Sequence, residues 1–299
     1  MTEPVPSGTI ATIAVIGGSG LYSLFDDAVS ERRVVQTPYG TAEVTIGELA
    51  SRRVAFLTRH GRDHSSAPHL INYRANIWAL ASLGVKAILS SAAVGGVSPD
   101  YPPGSLVLTD QFIDRTSGRA DTFYDQSGSV QHLAAADPFC PTLLRVAKSA
   151  LAEAGEEVIV GGTVVVIQGP RFSTRAESLW FRAGGAHTVN MTLYPEVPLA
   201  AELNMGTVNL SFVTDSDAGL APDPDAALSG AGIDDADAEE ALSAGLVFAR
   251  LREAQPRIVA AIEAIIRALP EDYEPRELIA AAEVEAVLAR AVVAGDGAA

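Results

Sequence analysis

The sequence predicts a single α/β domain with a mixed, twisted central sheet flanked by helices. Short apolar runs typical of buried strands, at residues 10–16, 54–57 and 87–91, alternate with longer stretches that have the apolar spacing of helices. Polar and glycine-rich clusters follow directly after several of these runs, where the strands end. Ligands in α/β sheets bind at the carboxyl ends of strands, so these clusters predict an active site along one edge of the sheet.

The composition narrows the classes of function. The chain has 299 residues, 48% of them hydrophobic, which is enough for a full core. Its net charge of −16 is opposite to that of a nucleic-acid-binding face, so we expect no nucleic-acid partner. The single cysteine, Cys140, excludes an intramolecular disulfide and suits a cytoplasmic protein. We recognise no signal peptide and no apolar run near the roughly 20 residues of a membrane span, so we expect no membrane partner.

The first predicted strand, residues 10–16, runs directly into Gly17-Gly-Ser-Gly-Leu-Tyr. Three interpretations are open: an anion-binding turn that uses backbone N–H groups and the Ser19 hydroxyl, a dinucleotide site, or a plain tight turn. A dinucleotide fingerprint needs a third glycine where this chain has Ser23, which argues against that class.

Residues 34–44 and 49–57 are predicted to form paired strands, and a cationic segment at residues 58–79 follows them. This segment ends in the start of a helix predicted over residues 73–83. Its histidines and arginines are His60, His64, His69, Arg59, Arg62 and Arg74. The histidine spacing fits no standard zinc pattern, so we expect no metal, and cations between a strand and a helix predict a site for an anion.

The strand predicted at residues 87–91 ends in a second small-residue turn, residues 92–96. Such a turn exposes backbone N–H groups to an anion or a base edge, or it allows close packing of a helix. A short strand at residues 105–109 precedes a polar stretch at 116–138 that contains His132. A loop of this length is usually functional or lies at an interface.

The middle of the chain continues the alternation of helices and strands. Residues 141–154 have one apolar face and predict a helix, and the β-branched run 158–167 predicts a strand. Thr174 and Glu177 have the spacing of a capping box and predict the start of a helix that runs through residue 183.

The last predicted strand carries two acidic residues at its end. A strand at 187–190 and a helix at 196–203 precede the strand at 207–213, which is followed by Thr214-Asp-Ser-Asp. Asp215 and Asp217 are two residues apart and can face one cavity, or they form an Asx turn or a helix cap.

The C-terminal part is predicted to be a long helix with an appendage. Residues 223–240 are rich in Asp, Ala and Pro and predict an acidic loop. The helix predicted at residues 246–269 contains Pro256, which we expect to break it. The linker Pro270-Glu-Asp-Tyr-Glu-Pro follows this helix, and the alanine-rich residues after it have helical propensity. We therefore divide the chain into a main domain, residues 1–269, and a C-terminal helical appendage that is free to move, residues 270–299.

Seven motifs together carry a resemblance to a known family. They are Gly17-Gly-Ser-Gly-Leu-Tyr, Arg59-His-Gly-Arg-Asp-His, Asn72-Tyr-Arg-Ala-Asn-Ile-Trp-Ala-Leu, Asp110-Gln-Phe-Ile-Asp-Arg-Thr, Gly169-Pro-Arg-Phe-Ser-Thr-Arg-Ala-Glu-Ser, Asn190-Met-Thr and Thr214-Asp-Ser-Asp. They resemble the trimeric purine nucleoside phosphorylase family, most closely its S-methyl-5'-thioadenosine phosphorylase branch, over about residues 13–265.

The resemblance implies a nucleoside phosphorylase-like fold, a homotrimer and a role in purine and methionine salvage. It implies that phosphate cleaves S-methyl-5'-thioadenosine to adenine and S-methyl-5-thioribose 1-phosphate. The alternative substrates are 6-oxopurine nucleosides, namely inosine or guanosine, or S-methyl-5'-thioinosine. Phosphate is a co-substrate in this reaction, and no cofactor is implied. A nucleosidase that uses water and a non-catalytic nucleoside sensor are the rival classes.

The resemblance also assigns residues to roles. It implies phosphate contacts from Ser19, Arg59, His60, Ala92, Ala93 and Thr192. It implies nucleoside contacts from Met191, Phe172, Ser173, Asp215, Ser216, Asp217, Ile233 and His132. Among these, Ile233 is expected in the pocket for the 5' group and His132 is expected to reach a neighbouring subunit's site. Asp215, Asp217 and His60 are the catalytic candidates, with Asp215 as the general acid at the purine.

Two residues depart from the family pattern. Ala92 stands where the thioadenosine branch usually has a hydroxyl, so we expect one phosphate contact to be lost or reduced to backbone. Gln168 stands where an acidic residue is common. Because an amide can bind either a 6-amino or a 6-oxo edge, Gln168 weakens the expectation of adenine.

Overall fold

The computed structural model describes residues 9–26, 28–61, 65–220 and 244–292. Within these residues, eleven strands form one sheet and six α-helices pack on it. The strands are β1 (Ile13–Gly17), β2 (Glu31–Thr37), β3 (Gly40–Leu49), β4 (Arg52–Thr58), β5 (Ala87–Gly96), β6 (Leu106–Thr109), β7 (Gln111–Arg115), β8 (Val158–Val160), β9 (Thr163–Ile167), β10 (Thr188–Asn190) and β11 (Gly206–Ser216). The helices are α1 (Tyr73–Ser82), α2 (Pro141–Glu153), α3 (Arg175–Ala183), α4 (Leu193–Glu202), α5 (Ala244–Ala268) and α6 (Ala281–Leu288).

Strand β5 is the centre of the mixed sheet. One path through the sheet runs β2-β3-β4-β1-β5-β10-β9-β7, and a second branch runs from β5 through β11 and β6 to β8. β11 pairs with β5 along its whole length, whereas β1 reaches only Ser90 and β10 meets only Gly95 and Gly96. Residues 91–94 of β5 therefore have no strand partner on their other edge among the described residues, and the sheet opens there.

The extent of β5 differs from the sequence prediction. Residues 92–96 were expected to form a turn, but they continue the strand because β11 pairs with them up to Gly96. Successive residues of a strand point their N–H groups to alternate edges, so part of the 91–94 backbone faces the opening.

Two further predictions about elements were wrong. The strand expected at residues 158–167 is two strands, because Gly161 and Gly162 adopt positive φ of 90° and 154° and send β8 and β9 to different parts of the sheet. Pro256 does not break α5, which is continuous. The missing N–H removes one helix bond, but buried Leu251, Ile258 and Ile262 fix the helix on both sides of it.

The core occupies both faces of the sheet. One apolar cluster packs α1 and α4 onto the first face, with Ile77 and Leu80 fully buried as the helical spacing predicted. The other packs α2 and α5 onto the second face, where Leu143 and Ile262 are fully buried. No helix of the described residues is both long and apolar enough to cross a membrane.

The described part of the C-terminal segment packs against the sheet domain. Asn204 Oδ1 accepts hydrogen bonds from the N–H groups of Leu278 and Ile279, at 2.8 and 3.0 Å. Trp78 of α1 donates its indole N–H to the Val287 carbonyl at 3.1 Å. The division of the chain at residue 269 and the movement of the appendage stay predictions.

Candidate active site

A cavity of about 430 Å³ lies at the opening beside β5. It is lined by the carboxyl ends of β1, β4, β10 and β11 and by the middle of β5. The candidate residues that line it are Ser19, Arg59, His60, Ala92, Ala93, Phe172, Ser173, Met191, Thr192, Asp215 and Asp217. Six separate parts of the chain therefore bring these predicted site residues to one place.

Two candidate residues are not brought there. Ser216 is exposed because it points to the opposite face of β11 from Asp215 and Asp217. His132 is exposed and does not line the cavity of its own chain. Ile233 lies outside the described residues.

Arg59 is buried at one end of the cavity and is held by an unpredicted partner, Glu196. Arg59 Nε donates to Glu196 Oε2 at 2.6 Å and Nη2 donates to Oε1 at 2.8 Å, while Nη1 donates to the Ser91 carbonyl at 2.9 Å. Each side chain of the pair is at most 3% exposed. Burial lowers the pKa of Arg59, but the Glu196 carboxylate outweighs it and raises the pKa above its ordinary value.

This pair changes what Arg59 offers to an anion. Three of the five guanidinium N–H groups are used within the protein, and the charge is neutralised at short range by Glu196. A buried arginine needs a counterion. The sequence has 37 acidic residues, however, and no local signal identifies Glu196, which lies 137 positions from Arg59, as the partner. A ligand anion at this end depends on further donors.

The other polar groups at this end come from loops that follow strands. His60 is buried, and its Nδ1 lies 2.9 Å from the Ser66 carbonyl, which fixes the proton on Nδ1 because a carbonyl only accepts. Thr192 is buried at the start of α4, and Ser19 is half-buried. Hydroxyl and imidazole groups with backbone N–H groups can bind a phosphate.

Steric crowding explains why glycine follows β1. A Cβ on Gly18 would lie 2.6 Å from the Ser91 carbonyl oxygen and 2.9 Å from Arg59 Nη1. Only glycine therefore lets this loop approach β5 and the guanidinium. No helix follows the loop before residue 26, whereas a dinucleotide fingerprint opens a helix.

The two acidic residues reach the cavity through a bulge in β11. Val213 pairs with Val94 and Asp215 pairs with Gly95, so Thr214 is one extra residue. The Thr214 hydroxyl lies 3.2 Å from the Val94 carbonyl and 2.5 Å from Asp215 Oδ1. A bulge turns the following side chains, and here it leaves Asp215 and Asp217 buried at 5% and 1% exposure.

Burial makes Asp215 easy to protonate. It raises the pKa of Asp215 to about 6, with a smaller contribution from the Asp217 charge, against the opposing effects of the Thr214 hydroxyl and of Arg250. Burial likewise raises the pKa of Asp217, opposed by the nearby Ser178 hydroxyl. A carboxyl with a pKa near 6 can hold a proton and still release it close to neutral pH.

Several buried polar atoms beside these acids have no hydrogen-bond partner within the described part of the chain. They are Asp217 Oδ2, Asn190 Nδ2 and the hydroxyls of Ser173 and Ser178; both hydroxyls lie close enough to Asp217 to lower its pKa, but neither has hydrogen-bond geometry with it. A buried polar group without a partner costs about 1–3 kcal/mol. Asp217, Asn190 and Ser173 line the cavity, so the cavity has donors and acceptors that a polar ligand can bind.

The Gln168 side chain does not line the cavity, which corrects the expectation that its amide binds a purine edge. Its Oε1 accepts from the backbone N–H of Ser117 at 3.0 Å and from Arg119 Nε at 3.3 Å, and it does not line the cavity. The amide is therefore held outside the cavity and does not distinguish a 6-amino from a 6-oxo purine. In the described ranges, no three histidine, cysteine or acidic side chains could hold a metal ion.

The fold and the site define a class of protein, and comparison with known proteins gives the same class. Residues 12–266 match the family described as the Phosphorylase superfamily. The chain belongs to this superfamily, and both the predicted fold and the predicted family are confirmed.

Two curated relatives and one solved structure show which members of the superfamily this chain is similar to. The chain is 51% identical to a purine nucleoside phosphorylase of Streptomyces coelicolor over 218 residues, 70% of this chain and 77% of the relative. It is 52% identical to an S-methyl-5'-thioadenosine phosphorylase of Mycobacterium tuberculosis over 213 residues, with the same coverage of 70% and 77%. The structure of a methylthioadenosine phosphorylase from Schistosoma mansoni, in complex with adenine, superposes with a TM-score of 0.77 at 31% identity, covering 93% of this chain and 96% of that one.

Proposed function

We propose that this protein is an enzyme that cleaves S-methyl-5'-thioadenosine with phosphate, giving adenine and S-methyl-5-thioribose 1-phosphate. The observation that carries the choice of base is Asp215, a cavity carboxyl with its pKa raised to about 6. In its protonated form it offers one donor and one acceptor. Adenine presents an acceptor at N7 and a donor at its 6-amino group along one edge, whereas a 6-oxopurine presents two acceptors there.

This match explains both binding and catalysis. A protonated Asp215 donates to N7 and accepts from the 6-amino group, so both buried partners are satisfied. A proton at N7 makes the purine a better leaving group, which is the general-acid role. Asp217, Asn190 and Ser173 supply further polar atoms around the base, and Phe172 offers an aromatic face.

The phosphate is proposed to bind at the other end of the cavity. Gly95 pairs with Asp215 and marks the base end of the cavity, and Ala92 lies three residues earlier in the same strand. Three residues of a strand span roughly 10 Å. That distance leaves room for a ribose between the phosphate and the base, with Met191 beside it. As the glycosidic bond breaks, the sugar becomes cationic, and the phosphate both stabilises this charge and attacks the same carbon.

The group at the 5' position is proposed to lie against α5. Val247 and Phe248 of this helix line the cavity with apolar surface, which suits a methylthio group better than a hydroxyl. Ile233, which was assigned to this pocket, lies outside the described residues. The relatives named for S-methyl-5'-thioadenosine and the solved structure with adenine support the same substrate.

The proposed reaction is tested by a substrate comparison. Values of kcat/KM for S-methyl-5'-thioadenosine, S-methyl-5'-thioinosine, adenosine and inosine are expected to be highest for the first. Base release is expected to require phosphate. Full-rate release in phosphate-free buffer would make the protein a nucleosidase, and binding without turnover would make it a sensor. A preference for inosine would overturn only the choice of base.

We also propose that the enzyme is a homotrimer in which His132 of one copy completes the 5' end of a neighbour's cavity. The exposure of His132 away from its own cavity supports this. Light scattering is expected to give about three times the chain mass of 31.1 kDa. His132→Ala is expected to raise KM for the nucleoside and not KM for phosphate, whereas His69→Ala, at another exposed histidine, changes neither. A fully active monomer would remove His132 from the site.

A further inference from the structure

Arg119 lies outside the cavity but is bonded to three of the segments that form its walls. It belongs to the long polar stretch at residues 116–138 and is half-buried. Its guanidinium makes hydrogen bonds through all three nitrogens, and none of them reaches a cavity-lining side chain directly. No sequence motif distinguished Arg119 from the other arginines.

The first segment is the turn after β9. Arg119 Nη2 donates to the carbonyls of Gln168 and Ile167 at 3.0 and 3.5 Å, and Nε donates to Gln168 Oε1 at 3.3 Å. The chain then continues directly into Phe172 and Ser173, which line the cavity at the base end. The position of this turn therefore sets the position of the residues proposed to face the purine.

The second segment carries the residues proposed to contact the ribose and the phosphate. Arg119 Nη1 donates to the Tyr194 carbonyl at 2.5 Å, two residues after Thr192. This point of the chain is irregular, because Tyr194 has φ of −110° and ψ of 131° inside the helical stretch. An external donor is needed there, since a helix does not satisfy the carbonyl of a residue in an extended conformation.

The third segment is reached through Tyr73. Arg119 Nη1 donates to the Tyr73 hydroxyl at 3.3 Å, and that hydroxyl donates to the Pro68 carbonyl at 2.9 Å. The guanidinium also lies over the Tyr73 ring, 5.5 Å from its centre. Pro68 ends the lining segment 65–68, which includes the Ser66 carbonyl that orients His60.

We propose that Arg119 is a positioning residue that holds these three walls at the spacing that a purine nucleoside requires; this rests on the proposed function. The planar guanidinium is suited to the task because its donors diverge in a fixed fork, whereas a lysine ammonium is a single point charge. Arg119 does not touch the reacting atoms. It acts through the carbonyls of Gln168 and Tyr194 and through Tyr73.

The test compares Arg119→Ala and Arg119→Lys with a matched control. We expect Arg119→Ala to lower kcat/KM for S-methyl-5'-thioadenosine by about tenfold to a hundredfold, the effect of misplacing binding groups by about an ångström. KM for phosphate is expected to change less than KM for the nucleoside, because Ser19 and Arg59 lie on segments that Arg119 does not contact, and only Thr192 and His60 depend on segments that it holds. Millimolar guanidinium chloride is expected to restore part of the lost activity, and Arg119→Lys is expected to resemble Arg119→Ala.

Arg257→Ala is the control for the loss of a multiply bonded arginine. Arg257 donates to both carboxylate oxygens of Glu156 and to the Gly104 carbonyl at 2.6 Å, and none of these residues lines the cavity. This variant is expected to lose stability without a change in KM or a response to guanidinium. Equal effects of Arg119→Ala and Arg257→Ala on KM for the nucleoside would overturn the proposed role of Arg119. A loss of stability in Arg119→Ala without any change in nucleoside binding would overturn it as well.

Binding separates this inference from the proposed function. The dissociation constant of adenine, measured by calorimetry, requires no turnover and is expected to rise in both Arg119 variants. A wild-type protein that binds adenine but releases no base from any nucleoside would overturn the proposed reaction. An adenine dissociation constant unchanged by both substitutions would overturn the role of Arg119 instead, and Arg119→Lys decides this if Arg119→Ala does not fold.

Discussion

Replacement of Asp215 by asparagine is expected to lower kcat for S-methyl-5'-thioadenosine by about 100- to 10,000-fold, the usual contribution of a general acid. The amide cannot give a proton to N7, although its size and burial are nearly the same as those of the acid. The amide keeps an acceptor for the 6-amino group, but it has two N–H donors where the protonated acid has one, so it can also donate to both acceptors of a 6-oxopurine. The variant is therefore expected to discriminate less against 6-oxopurine nucleosides. The comparison of kcat/KM for S-methyl-5'-thioadenosine and S-methyl-5'-thioinosine measures both effects.

The pH dependence gives an independent measurement of the same group. The acid form is the active one, and the pKa of Asp215 is raised to about 6 by burial, so wild-type kcat/KM is expected to fall as the pH rises above about 6. Inorganic phosphate also titrates near this range. Its contribution is common to wild type and Asp215→Asn, so the ratio of the two profiles isolates the carboxyl.

Asp100→Asn is the control, because it makes the same chemical change at an exposed position. We expect it to leave kcat, the preference for base and the pH profile unchanged. If Asp215→Asn keeps the wild-type preference and the wild-type pH profile, Asp215 does not recognise the base and the adenine proposal loses its main support.

Replacement of Glu196 by glutamine is expected to destabilise the protein by about 3–5 kcal/mol, because it leaves the buried Arg59 guanidinium without a counterion. Urea unfolding monitored by circular dichroism measures the change in the free energy of unfolding. Glu274→Gln provides the comparison: Glu274 pairs with Lys86 at the surface, where the side chains are 70% and 39% exposed. We expect that substitution to cost less than about 1 kcal/mol.

The double variant Arg59→Met with Glu196→Leu separates stability from phosphate binding. Replacing both partners of a buried ion pair with apolar residues is often close to neutral, so most of the stability is expected to return. The double variant is nevertheless expected to raise KM for phosphate by about tenfold to a hundredfold, the worth of a charged hydrogen bond, and to raise KM for the nucleoside much less. If Glu196→Gln costs no more than Glu274→Gln, or if both KM values rise equally, the proposed role of the pair is wrong.

Local sequence patterns were sufficient for most of the elements. Thr174 and Glu177 predicted a capping box, and both of its hydrogen bonds are present at the start of α3. Where an element was predicted wrongly, a long-range contact decided it. Residues 92–96 look like a turn but are held as strand by β11, which lies more than a hundred residues later in the chain.

The position of Gln168 shows the same limit within the site. Its place in the motif predicted a residue that contacts the base, but the side chain bonds to Ser117 and Arg119 instead. The direction of an amide depends on which partners surround it, and these partners are about 50 positions away. Spacing along the chain does not contain this information.

The sequence by itself determined the family, the α/β class and the set of segments that meet at the cavity, because motifs and apolar periodicity are local properties of the chain. Only the tertiary structure decided that Glu196 neutralises Arg59, that Arg119 joins three cavity walls and that burial raises the pKa of Asp215 to about 6. Each of these depends on distance and desolvation between residues far apart in the chain. Such quantities are set by the packing of the whole domain, and no single segment encodes them.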